Sequence, residues 1–138
     1  MAKIEKIWFE SERIWIVTDN HLTYSRPLEA FPTLKDASNE ERMSFKINKF
    51  GDSIRWEQID EDIHISNFFE NNEPNYENEI ASIFKKFPQL NISEIAKSIG
   101  IHKSLLAKYI YGIKKPSEKR KDEIKAALHA LGNQLLAV

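Results

Sequence analysis

Cysteine is absent from this chain of 138 residues. That removes disulfide staples and thiolate metal sites together and makes a reducing compartment the natural setting. Long apolar runs are missing too, since no stretch approaches the roughly 20 residues needed to cross a bilayer. The N-terminus carries Lys3, Glu5, Lys6 and Glu10 where a signal peptide needs an apolar segment. These absences predict a soluble, cytoplasmic protein with no membrane partner. Glycine is scarce, with four in the chain. Gly51, Gly100, Gly112 and Gly132 each fall where the surrounding pattern predicts a turn or a helix end.

Catalytic and metal-binding signatures are equally sparse. His21, His64, His102 and His129 are scattered, and none has an HExxH-like partner. No nucleophile-elbow sequence occurs. Carboxylates concentrate at Glu57, Asp60, Glu61 and Asp62, and such a group can hold a hard cation through oxygen. A calcium loop, however, alternates its ligands around a glycine that this segment lacks, and an extended chain sends Glu61 to the side opposite Asp60 and Asp62. The cluster reads as a solvated turn or as an acidic surface for a basic partner. The expectation is therefore no enzyme activity, no catalytic residue, no metal and no cofactor. The aromatic residues Trp8, Phe9, Trp15, Tyr24, Phe31 and Trp56 are expected in a core.

Charge is where the chain becomes informative. Its formal net charge is −1, which hides a strong asymmetry. Residues 1–74 hold nine Lys/Arg against fifteen Asp/Glu, whereas residues 75–138 hold eleven against six. Such a split suggests two units with different partners, the basic one suited to a polyanion. A chain of this length holds one good core or two small ones.

The acidic half, residues 1–70, reads as a small α+β domain. Ile4, Ile7 and Phe9, then Ile14 to Val17, then Leu22 and Tyr24 form runs rich in β-branched and aromatic residues. Turn-prone Ser11-Glu12 and Asp19-Asn20 separate them, predicting an antiparallel meander. Leu28, Phe31 and Leu34 predict a short helix around Pro32, and Ser38 with Glu41 predicts a capping box opening another near Asn39. Alternation returns from Phe45 to Trp56 with Gly51-Asp52 as a turn, and Ile63 to Ile65 suggests a last strand. Ser25-Arg-Pro-Leu28, Phe31-Pro32 and the closing Trp56 with Asp60 to Ile63 resemble a small bacterial family, domain of unknown function 2442. The resemblance implies a fold and no chemistry. Members suspected to be encoded beside small toxin-like proteins make an antitoxin role one alternative.

Polar, proline-bearing residues 71–77 read as a linker. Beyond it, residues 78–138 show helical periodicity. Ile80, Ile83, Phe84 and Phe87 predict a helix stopped by Pro88. Ile95, Ala96 and Ile99 predict a second over about 92–99, and Leu106 with Tyr109 a third over about 103–111. Asn91 with Glu94 opens the second of these, Gly100 turns the chain, and Gly112 closes the third. Ser117 caps a fourth, with Ile124, Ala127, Leu128 and Leu131 as its buried stripe; Gly132 is expected to end it and leave a short fifth element carrying Leu135 and Leu136.

The ordered set Ala96, Gly100, Ile101 and Gly112 resembles the helix-turn-helix core of phage-repressor domains of the Cro/Xre type. The likeness spans roughly 78–132 and is strongest over 93–117. It implies a fold class of α+β overall: a small antiparallel sheet domain with short helices, followed by an all-α lambda-repressor-like helix-turn-helix domain using residues 92–112. Carried over from that family, Lys103, Ser104 and Lys108 would read DNA bases, and Asn91, His102, Tyr111, Lys114, Lys115, Lys119 and Arg120 would lie along phosphates. Two positions depart from the family. Ile92 stands where a phosphate-bracing Gln is common, and Ile110 where a Glu is common. Leu105 falls on the face expected to read DNA, where it would meet a thymine methyl group or, with Ile113, mark a protein interface.

The implied function is transcription regulation by a bacterial repressor-like protein that binds double-stranded DNA in a sequence-specific way. It would act as a homodimer, because one such motif reads only a half-site. Leu131, Leu135 and Leu136, or the first domain, are the candidate dimer surfaces. The alternative is a protein-binding adaptor or antitoxin whose acidic N-terminal domain holds a partner protein, with a degenerate helix-turn-helix.

Overall fold

The computed structural model describes residues 2–138. It is a mixed α+β molecule with small antiparallel sheets and several helices, and it divides into two compact units, Met1–Glu73 and Pro74–Val138.

In the first unit, β1 (Ile4–Glu10), β2 (Arg13–Thr18) and β3 (Thr23–Pro27) form an antiparallel sheet in that order. Ser11 and Glu12 join β1 to β2 with φ of 54° and 60°. Two successive positive φ values match the twist a two-residue hairpin requires. Ile4 pairs with Thr18 and Lys6 with Val17, so the register slips by one residue between them. Without that slip Ile4 and Ile7, an odd number of residues apart, would face opposite sides of the sheet. With it, both are buried.

A 3-10 turn (Leu28–Ala30) leads into α1 (Pro32–Lys35), where proline sits at the start of the helix and no backbone donor is lost. The short helix α2 (Asn39–Met43) carries the expected capping box: Glu41 N donates to Ser38 Oγ at 3.1 Å and Ser38 N to Glu41 Oε1 at 2.8 Å. Next, β4 (Lys46–Ile47), β5 (Ser53–Trp56) and β6 (Glu61–His64) form a second antiparallel sheet. The last strand thus ends before Ile65, which opens a 3-10 turn, Ile65–Phe69. Ile14, Ile16, Leu34, Ile54, Trp56 and Ile63 are fully or almost fully buried. Each contributes about 1.5–3 kcal/mol through apolar burial. Trp56 satisfies its indole N–H by donating to Arg42 O at 2.9 Å.

The second unit is helical: α3 (Glu79–Lys86), α4 (Ile92–Ile99), α5 (Lys103–Tyr111) and α6 (Glu118–Leu136). Its core joins Ile80, Phe84, Ile95, Ala96, Leu106, Tyr109, Ile110 and Ile124. Every one of these helices opens on a side chain that accepts from its first turn: Asn78, Asn91, His102 and Ser117.

Three expectations need correction. Residues 71–77, expected as a linker, do contain the division between the two units, but the chain on each side of it is bonded into its own unit. Arg26, only 1% exposed, donates to Asn72 O at 2.7 Å and to Asn72 Oδ1 at 2.8 Å, and Arg13 grips Glu73 at 2.5 and 3.2 Å. Past Glu73, Asn75 N donates to Tyr111 O at 2.8 Å. Second, Gly132 does not end a helix, because α6 runs through it to Leu136. A glycine inside a helix costs about 1 kcal/mol, too little to stop one whose neighbours favour it. The described residues of this unit therefore form four helices and not five. Third, the stripe expected to be buried along α6 is deep only at Ile124; Ala127, Leu128 and Leu131 are half-exposed.

Candidate nucleic-acid interface

The candidate interface is built from the turn between α4 and α5. Gly100 has φ 83° and ψ 28°, and Ile101 N donates to Ala96 O at 3.0 Å, so the last carbonyls of α4 are met by the chain that leaves it. Ile101 then packs against the core and commits the turn to one direction. His102 caps α5 by accepting from Ser104 N at 3.1 Å through Nδ1, which leaves the proton of a neutral ring on Nε2.

Along α5, Leu106, Tyr109 and Ile110 face the core while Lys103 is exposed and Ser104 and Lys108 are half-exposed. Ser104 and Lys108 are four residues apart and share a face, with Lys103 one step around it. Gly112, at φ 72°, closes the helix, and the exposed pair Lys114 and Lys115 follows. Lys119 is exposed near the start of α6 and Arg120 half-exposed beside it. Among the described residues no carboxylate pairs with Lys103, Lys108, Lys114, Lys115 or Lys119. Charges further along α6 are by contrast matched: Arg120 to Glu123 at 3.9 Å, Lys121 to Glu118 at 3.3 Å and Lys125 to Glu79 at 2.5 Å. The Glu79 contact raises the Lys125 pKa and lowers that of Glu79, chiefly through their hydrogen bond.

Other anticipated residues turn out to have structural duties. Asn91 Oδ1 caps α4 by accepting from Glu94 N at 3.1 Å. Tyr111 packs edge-on against Tyr76 at 5.9 Å. Leu105, expected on the outward face, is partly buried against the core, and Ile113 is buried, so neither adds an apolar patch beside the lysines. Ile110 is likewise core. Sequence reasoning missed the 75–78 segment. Asn75 N meets Tyr111 O, and Asn78 Nδ2 lies 3.3 Å from Ile110 O, so two orphan carbonyls at the end of α5 are satisfied from outside the helix. Asparagine at both positions was the available signal.

In the first unit the acidic cluster encircles a cation already in the chain. Arg55 reaches Glu57 at 3.3 Å, Asp60 at 2.9 Å and Asp62 at 2.8 Å, and hydrogen bonds from Glu57 and Asp60 push its pKa up. Among the described residues no group of three or more His, Asp or Glu side chains is arranged to hold a metal ion. Nor are all the aromatics core. Trp56 and Phe31 are buried, but Trp8 and Trp15 stack at 6.1 Å and lie half-exposed, with Lys6 Nζ 5.6 Å from the Trp8 ring. Register explains this, since Trp8 opposes Trp15 on the sheet face away from Ile7 and Ile16.

Residues 4–74 match the sequence profile of a family described as protein of unknown function (DUF2442). The chain belongs to that family. The DUF2442 match ends at residue 74, one residue past the first compact unit, so the helical unit is characterised by its geometry alone. A crystal structure of a protein of unknown function from Rhodospirillum rubrum is similar at 21% identity, covering 50% of this DUF2442 chain and 86% of that one, with a TM-score of 0.45. No curated protein matches the chain. Among the described residues no helix is long and apolar enough to cross a membrane.

Proposed function

We propose that this protein binds double-stranded DNA in a sequence-specific way, as a homodimeric bacterial regulator, through a repressor-like helix-turn-helix made of α4, the Gly100 turn and α5. The observation that carries this reading is the run of lysines without acidic partners on and just after α5, beside a helix α6 whose Arg120, Lys121 and Lys125 are paired. A stability role would draw carboxylates to such lysines; a polyanion takes their place when it binds. In this reading Lys103, Ser104 and Lys108 enter the major groove, where lysine donates to guanine O6 and N7. Lys114, Lys115, Lys119 and Arg120 lie along phosphates. The Nε2–H of His102 remains able to join them, while Asn91 and Tyr111 hold the backbone around the contact.

Fluorescence anisotropy of the full chain with DNA fragments selected from a genomic pool tests this. Lys103→Ala should relax base preference by about 1–3 kcal/mol at one position, and Lys115→Ala should weaken every sequence alike. Binding that is absent, or indifferent to salt, overturns the proposal.

A second reading, a protein-binding adaptor or antitoxin, is favoured by the first unit. Its negative charge and the half-exposed Trp8–Trp15 pair together suit a basic, partly apolar protein surface. Affinity purification of the full chain should then recover a basic protein that Trp15→Ala loses. Recovery unaffected by that substitution counts against this reading.

A further inference from the structure

The second half of α6 changes character abruptly. Of the eight residues from Glu118 to Lys125, all but Ile124 are charged, whereas the thirteen from Ala126 to Val138 contain no Asp, Glu, Lys or Arg. This neutral stretch is poorly covered. Leu135 is 65% exposed, and Phe87, across from it on the turn after α3, is 49% exposed. Two grooves flank it. One, of about 790 Å³, lies between α6 and the segment leading into α4; the other, of about 530 Å³, lies between α6 and the end of α3. Phe87, Leu90, Leu131 and Leu135 line both. Leu131 and Leu135 therefore form a ridge with an apolar trough on either side.

We propose that this ridge-and-trough face docks a second copy of the chain, with the two α6 helices antiparallel and a two-fold axis passing near Leu131. A two-fold interface sets the same patch against itself, so a charge near the axis would oppose its own copy. In a chain that is 30% charged, a charge-free run of this length on an exposed helix meets that requirement along the ridge, and the troughs beside it carry one charge each, Glu94 in the larger and Lys125 in the smaller. Shape gives a second argument. A ridge beside a groove is what a self-complementary helix contact needs, with Leu135 of each copy entering the larger trough of the other. Antiparallel α6 helices also place opposite ends of their dipoles together. An anionic lipid or a nucleic acid finds no Lys or Arg between Ala126 and Val138 and only Lys125 among the residues lining the two troughs. The docking surface is defined without reference to DNA, and its failure would leave the lysine reading to its own test.

Sedimentation velocity of the full chain without DNA, over a series of concentrations reaching about 100 µM, decides the matter. The wild type should approach twice the 16.1 kDa of one chain. Leu135→Glu, at a residue too exposed to disturb the unit's core, should be monomeric with unchanged helicity. Leu131→Glu and Leu131→Lys should each be monomeric alone and dimeric when mixed, because the axis brings residue 131 of one copy next to residue 131 of the other. Leu22→Glu, an exposed apolar residue in the other unit, should leave the dimer intact. A wild type that stays monomeric throughout, a Leu135→Glu variant that stays dimeric, or dissociation by Leu22→Glu would overturn the proposal.

Discussion

Gly100 and Gly112 share a left-handed conformation and differ in what surrounds them. At Gly100 a Cβ would meet nothing within 4 Å. Gly100→Ala therefore carries only the conformational cost of a non-glycine residue at positive φ, about 1–2 kcal/mol. At Gly112 the same Cβ would collide with the carbonyl of Asn75, which is held there by its N–H bond to Tyr111 O. Relief would break the clip on the end of α5, so Gly112→Ala should cost about 3 kcal/mol or more. Urea unfolding of the two variants followed by circular dichroism would show the difference; equal costs would mean that the Asn75 segment yields freely. Lys103 is unusual on the same residue scale. The first turns of α3, α4 and α6 contain Glu79, Glu94 and Glu118, whereas that of α5 contains no acid and begins with a lysine. A cation there opposes the helix dipole. Lys103→Glu is expected to stabilise the protein slightly, by about 0.3–1 kcal/mol, while removing the proposed DNA binding. Gain of stability with binding retained would show that the charge serves neither end.

At the scale of elements, the tie between the first sheet and residues 70–73 sets a pH response. Arg13, by its hydrogen bond, holds the Glu73 pKa below the ordinary carboxylate range. A lowered folded-state value means that stability from this pair is present above the ordinary Glu range and is lost as pH falls through the lowered value. Glu73 is 51% exposed, so screening limits the effect to less than about 1 kcal/mol. Denaturation midpoints between neutral and strongly acid pH should fall more steeply for the wild type than for Glu73→Gln; parallel curves would remove the pair from the account. Burial lowers the Arg26 pKa, and its grip on the neutral Asn72 adds no titrating carboxylate to that response.

This same tail marks where sequence reading stopped. Caps, turns and core positions were legible because their signals are local: Ser38 with Glu41, Gly100 after a periodic run, and Trp56 in an alternating strand. The duty of Asn72, Glu73 and Asn75 was not, because it depends on Arg26, Arg13 and Tyr111, each more than thirty positions away. Polar composition alone resembles a linker. Gly132 misled for the opposite reason, since a local breaker signal was overruled by the helix running through it. The lysines of the candidate interface were named through the family resemblance and not by local signals, while the inward turn of Leu105 is a matter of one step around a helix, which periodicity does not resolve.

On the scale of the molecule, a net charge of −1 forbids any simple attraction to nucleic acid. What remains is the local field of the helical unit, and its strength can be counted. Each cation that neutralises a phosphate releases counterions and adds about −0.9 to the slope of log affinity against log salt. Lys114, Lys115, Lys119 and Arg120 thus predict about −3.6 per chain and about −7 for a dimer on a full site. The acidic unit enters as a modest repulsion that salt also screens, so the measured slope should fall somewhat short of that count. Titrations of the full chain at several salt concentrations would give the slope, and Lys115→Ala should flatten it by about 0.9 per chain without altering the preferred sequence. A slope near −3.6 that Leu135→Glu leaves unchanged would mean one chain per site, separating the DNA contact from the α6 dimer. A slope near zero would mean that the unpaired lysines meet something other than phosphate, and the acidic unit's partner would then become the function to pursue.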